Sequence, residues 1–128
     1  MLVRPPSPIA SLPPAVPRPG ALVNGTWAAA RLDEGELGPS LLELVMWFPL
    51  DEAATERALG TRDRVTTVMM DRDAVRAVLP DAALPAIGNS VEVTGDAYPA
   101  TAFEGAGYFG ARAIHVRGGL LVAVRSGG

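Results

Sequence analysis

The residues of this chain whose types and spacing could do chemistry are few. Gly105-Ala-Gly107-Tyr-Phe-Gly110 fits the spacing G-x-G-x-x-G. In a dinucleotide site that loop follows a strand and opens a helix, so that backbone amides meet the pyrophosphate. Here the residues after Gly110 alternate in the manner of a strand, which predicts a turn or a strand bulge instead. His115, the single histidine, could serve as a general base. Local spacing places no serine or carboxylate beside it, and the chain has no cysteine nucleophile. With Ile114 and Val116 pointing inward, His115 falls on the outer face of its strand and reads as a surface or interface residue. The carboxylates Asp71 and Asp73, and the trio Asp33, Glu34 and Glu36, could bind a hard cation. The EF-hand pattern is missing, and plainer roles suffice: helix caps for the first pair, a solvated turn for the trio. No catalytic residue, metal or cofactor is predicted.

Arginines supply the remaining candidate chemistry. Arg62, Arg64, Arg72 and Arg76 flank a predicted strand and helix. Together with Trp27, Trp47, Tyr98, Tyr108 or Phe109 they could form a stacking and electrostatic groove for single-stranded nucleic acid. The alternation of signs favours a solvated face in which Arg64, Arg72 and Arg76 pair with Asp63, Asp71 and Asp73. Whole-chain charge points the same way. The net charge is −3, and a phosphate-backbone binder usually carries a basic surplus. The absence of cysteine excludes disulfides and thiolate metal sites. No apolar run approaches the ~20 residues of a membrane span. Prolines interrupt the apolar residues at the N-terminus, so no secretory signal is expected there. The expected product is a soluble protein made in the cytoplasm.

The elements that would position these residues are mostly strands. A chain of 128 residues supports one domain with a modest core. Aromatic residues make up only 5%, so that core must be aliphatic. Residues 1–20 carry seven prolines and predict an extended, polyproline-like arm. This arm would pack on its own domain or on a neighbouring subunit. Residues 21–128 predict a single small β-barrel. Its strands are Trp27–Leu32, Leu41–Phe48, Val65–Met70, Ser90–Thr94, Tyr108–Arg117 and Leu120–Arg125, the last two joined at Gly118-Gly119. Short helices are expected at Asp51–Leu59, stopped by Gly60, and at Ala74–Leu79, capped by Asp71 or Asp73. A helix between the third and fourth principal strands is the layout of an OB-like barrel, with an SH3-like barrel as the alternative.

Leu41–Phe48 carries the strongest expectation. Leu42, Leu44, Met46 and Phe48 line one face of a strand. A helix competes, because Ser40-x-x-Glu43 resembles a capping box. Pro39 and Pro49 leave little room for one, and the aromatic and β-branched content favours strand. The opposite face, Leu41, Val45 and Trp47, is then also apolar, and such a strand needs cover on both faces. That cover could come from a helix, the arm or a partner. Leu41, Val45 and Trp47, with Pro13 and Pro14 of the arm, are the predicted interface residues.

Five stretches carry a family likeness: Trp47-Phe-Pro-Leu-Asp51, Asp63-Arg-Val65, Val91-Glu-Val-Thr-Gly-Asp96, Phe103-Glu-Gly-Ala-Gly107 and Ile114-His-Val-Arg117. In this order they resemble the small β-barrel head-closure, or stopper, proteins in the neck of tailed bacteriophages. The link between Val65–Met70 and Val91 is longer here than in that family. The resemblance implies a ring-forming, non-enzymatic subunit that docks on a portal or adaptor, close to packaged DNA, and so a place in the virion. The sequence therefore predicts a structural subunit that assembles with copies of itself or with protein partners. Two other readings stay open: an OB-fold module for single-stranded nucleic acid, and a small barrel enzyme acting on an apolar metabolite.

Overall fold

The computed structural model of the chain describes residues 2–32, 41–79 and 92–127. Its strands are β1 (Leu2–Pro8), β2 (Thr26–Arg31), β3 (Leu41–Phe48), β4 (Val65–Met69), β5 (Glu92–Tyr98), β6 (Tyr108–Val116) and β7 (Gly119–Gly127). Two helices interrupt them, α1 (Glu52–Leu59) and α2 (Arg72–Val78). All seven strands join one antiparallel sheet in the order β1-β2-β3-β7-β6-β5-β4. Local chemistry sets the helix ends. The Asp51 carboxylate accepts from the Ala54 amide at 2.7 Å, and the Asp71 carboxylate accepts from the Ala74 amide at 3.0 Å. Each satisfies an amide that the first helical turn leaves without a partner. Gly60, at φ 107°, ends α1.

Leu41–Phe48 is a strand, and it sits in the middle of the sheet between β2 and β7. Leu44, Met46 and Phe48 face one core cluster, with Leu120, Val122 and Val124 of β7. Val45 and Trp47 face a second, with Leu121 and Ala123 of β7 and Ala74, Val75 and Val78 of α2. Phe48, Met46, Leu120 and Leu121 are wholly enclosed. Each such side chain contributes on the order of 1.5–3 kcal/mol by leaving water.

The Pro-rich segment differs from the expected arm. Leu2–Pro8 pairs with β2 as an edge strand, and Ile9, Leu12, Val16 and Leu22 are buried over the first core face. The Trp27 indole N–H donates to the Ser11 hydroxyl at 3.0 Å, and the Arg4 guanidinium lies 5.3 Å from the Trp27 ring centre. These contacts hold the segment to its own sheet. The prolines are compatible with a strand because β1 needs hydrogen bonds on one side only.

The expected barrel does not close. Closure would require β1 to pair with β4, and these are the two ends of the sheet. Pro5, Pro6 and Pro8 of β1 have no N–H to offer a second neighbour. The sheet stays open, with α2 over one face and the Pro-rich segment over the other. The predicted turn at Asp33–Glu36 and the start of the strand at Ser90–Val91 lie outside the described residues.

The turn into β7 is sterically tight. A Cβ on Gly119 would lie 2.5 Å from the Trp47 ring and 2.6 Å from the Phe48 carbonyl oxygen. Gly119→Ala is expected to cost about 1–3 kcal/mol through overpacking. Urea unfolding would show this as a lower midpoint at unchanged slope.

Candidate functional site

The candidate chemistry of the sequence resolves into ordinary structure. Gly105 and Tyr108 exchange hydrogen bonds (Gly105 amide to Tyr108 carbonyl 3.0 Å, the reverse 2.8 Å) around Ala106 and Gly107, both at positive φ. Gly110 falls at the register shift in β6, between Phe109 and Arg112. The glycines thus make a turn and a bulge, as expected, and β6 follows rather than a helix. His115 departs from its predicted outer face. Its Nε2 lies 2.8 Å from the Leu50 carbonyl oxygen, and its ring meets Tyr98 edge-on at 6.4 Å. Both faces of β6 are covered here, because Ala113 faces one core cluster and Ile114 the other. Tyr98 itself is buried, and burial pushes its phenol above the ordinary pKa, with Glu52 and Asp96 adding to the rise.

The arginine groove does not assemble. Arg62, Arg64, Arg72 and Arg76 are all exposed, but Trp27, Trp47 and Tyr98 are buried and present no stacking face. Arg62 pairs with Asp96 at 3.2 Å. Arg76 lies on α2 beside Asp73 and Leu2, at an open depression of about 700 Å³. Arg62 and Arg64 precede β4 and Arg72 follows it, so these three bracket a strand rather than line a channel.

The predicted interface residues are also redistributed. Val45 and Trp47 are buried beneath α2 of the same chain, which corrects their assignment to an intermolecular surface. An apolar second face needs cover, and the helix supplies it. Leu41 is half-buried, and only Pro13 and Pro14 are exposed.

Two features escaped the sequence reading. The first is a buried charge cluster on the α2 side of the sheet. Glu43, read only as a helix-capping residue, is 1% exposed. It accepts from Arg112 and, at 2.6 Å, from the Asp71 amide at the start of α2. Arg112 also donates to the Met69 carbonyl at the end of β4, and Arg125 Nε stands 3.8 Å from Glu43. The available signal was a single carboxylate inside an otherwise apolar central strand.

The second is the free edge of the sheet at β4. Val65 is 66% and Met69 56% exposed, and Thr67 between them is exposed too. The Ala97 amide donates to the Arg64 carbonyl at 2.9 Å, which makes Val65 and Asp96 a widely spaced, non-hydrogen-bonded pair. Alternation along the ladder then directs the backbone N–H and C=O groups of Val65, Thr67 and Met69 away from β5. On that side no further strand pairs with β4 among the described residues. The same three residues therefore expose both side chains and strand-pairing groups. A shallow depression of about 340 Å³, lined by Val65, Thr94, Asp96, His115 and Arg117 among others, adjoins the start of this edge.

No protein-family model matches the chain, and no curated protein or solved structure matches it significantly.

The buried cluster and Tyr98 give two expectations. Glu43→Gln removes the counter-charge of Arg112 and is expected to cost about 3 kcal/mol in urea unfolding. Replacing both by leucine should recover most of that loss. The folded-state pKa of Tyr98 lies above its unfolded value, so Tyr98 adds stability below about pH 10 that is lost as pH rises through the folded value. Tyr98→Phe should therefore flatten the alkaline fall in the denaturation midpoint.

Proposed function

We propose that the chain is a non-enzymatic assembly subunit that engages protein through the β4 end of its sheet, with copies of itself as the first partner. The observation that carries this reading is the asymmetry of the two sheet edges. β1 is blocked by Pro5, Pro6 and Pro8, a common defence of an edge strand against pairing. β4 has no proline, points pairing groups outward, and displays Val65 and Met69. An unguarded strand edge beside apolar side chains is a recurrent protein-docking surface, in which backbone bonds give affinity and side chains give selectivity.

Within that class we place the chain in the neck of a tailed phage, as a head-closure subunit. Support comes from the order of the resembling stretches. Two of them, Asp63-Arg-Val65 and Glu92-Val-Thr-Gly-Asp96, also lie side by side, with Val65 opposite Asp96. The burial of the large aromatic rings and the dispersal of the arginines weigh against a single-strand nucleic-acid groove.

Sedimentation equilibrium tests the assembly reading. The mean mass of the full chain is expected to rise above 13.3 kDa as concentration increases through the micromolar range. Combining Val65→Lys with Met69→Lys should weaken association at least ~tenfold, about 1.4 kcal/mol, and leave the thermal midpoint nearly unchanged. A monomer at every concentration overturns the reading. So does tight, salt-dependent binding of a labelled single-stranded oligonucleotide by the monomer.

A further inference from the structure

We infer that the β4 edge pairs with the β4 edge of a second copy, antiparallel about a two-fold axis at Thr67, and that sheet growth stops at the resulting dimer. The inference rests on the assembly reading above and adds its geometry.

The spacing of β4 is self-complementary. A two-fold axis normal to the sheet brings outer face to outer face and sets residues of equal parity opposite one another. Centred on Thr67, it places Val65 against Met69 of the second copy, and Met69 against Val65. The two large exposed apolar side chains of the edge then cover each other, with the threonines between them. Centring on Thr66 instead would set Val65 against Thr67 and Met69 against Asp63. Centring on Val68 would set Val65 against Asp71. Only the Thr67 register matches the apolar pair. The backbone agrees, because the groups of Val65, Thr67 and Met69 that turn away from β5 are the ones this register joins. The Met69 carbonyl already accepts from Arg112 and retains a second lone pair for the ladder.

The charges on either side do not compete for the ladder. Arg62 is held by Asp96, and the Asp71 carboxylate caps α2. Growth beyond two copies would need the other edge, β1, whose prolines lack the required N–H groups. A heterologous, open-ended stack is thereby disfavoured and a closed isologous pair remains. The edge is only five residues long, so the contact falls well below the ~1,000 Å² of a stable interface. The dimer is a weak one, formed at tens to hundreds of micromolar or stabilised within a larger assembly.

Single cysteines test the register, since the chain has none of its own. Hydrogen-bonded antiparallel partners stand about 5.5 Å apart at Cα, within the span of a disulfide. Under mild oxidation at high concentration, full-length Thr67→Cys is expected to form a disulfide dimer at least tenfold faster than Thr94→Cys. Thr94 is exposed and sits opposite Thr67, one strand further in. A mixture of Val65→Cys and Met69→Cys should cross-link faster than either variant alone. Sedimentation of the unmodified chain should plateau at twice the monomer mass. Rising mass without faster Thr67→Cys cross-linking overturns the two-fold pairing and leaves the assembly reading standing, as does a mass that climbs past the dimer. A mass fixed at that of the monomer overturns both.

Discussion

The structure depends on one buried carboxylate. Glu43 lies in the middle strand of the sheet, on the face that α2 covers, and is almost fully removed from water. An isolated charge there would be prohibitively costly. Arg112 of β6 neutralises it, and the Asp71 amide completes its hydrogen bonding. A buried pair of this kind adds little net stability against an apolar equivalent. What it supplies is position. The amide it binds is the first backbone group of α2, so the charge fixes where that helix begins on the sheet. From there Ala74, Val75 and Val78 fall onto Ala28, Ala30, Val45 and Trp47.

That placement explains how a chain with so much apolar sequence hides it. β3 is hydrophobic on both faces, and each face has its own lid. α2 covers Val45 and Trp47, while Ile9, Leu12, Val16 and Leu22 of the Pro-rich segment join the cluster around Leu44, Met46 and Phe48. Both lids come from the same chain. The exposed apolar residues that remain are few, and two of them stand together on β4.

Much of the β-structure was legible. The alternation in Leu41–Phe48, the strand at Val65, the hairpin through Gly118-Gly119 and the Asp51 and Asp71 caps all follow from periodicity and end chemistry. The need for cover over Val45 and Trp47 was legible as well. Which element provides it was not, because a strand's own pattern reports burial and not the identity of what buries it. Proline count misled in a related way. Prolines forbid a central strand, which is compatible with a loose arm and equally with the edge strand that β1 is. The edge status of β4 was hidden for the same reason: Val65-Thr-Thr-Val-Met69 would suit an inner strand, and only the order of strands exposes it. The ion cluster joins positions far apart in sequence, 43, 71 and 112, which no local window connects.

The two unanticipated features are linked to one another. Arg112 binds the Met69 carbonyl with the same guanidinium that meets Glu43, and Glu43 in turn holds the Asp71 amide. The cluster therefore grips the chain on both sides of Met70, where β4 ends and α2 begins. An edge strand ordinarily frays from its end, and any partner must first order it at a cost in conformational entropy. Here that end is tied to the centre of the sheet. Met69 is displayed to solvent while its own carbonyl and the next turn of chain are immobilised from below. Much of the ordering cost is thus met on folding, which favours pairing at this edge even though the strand is short.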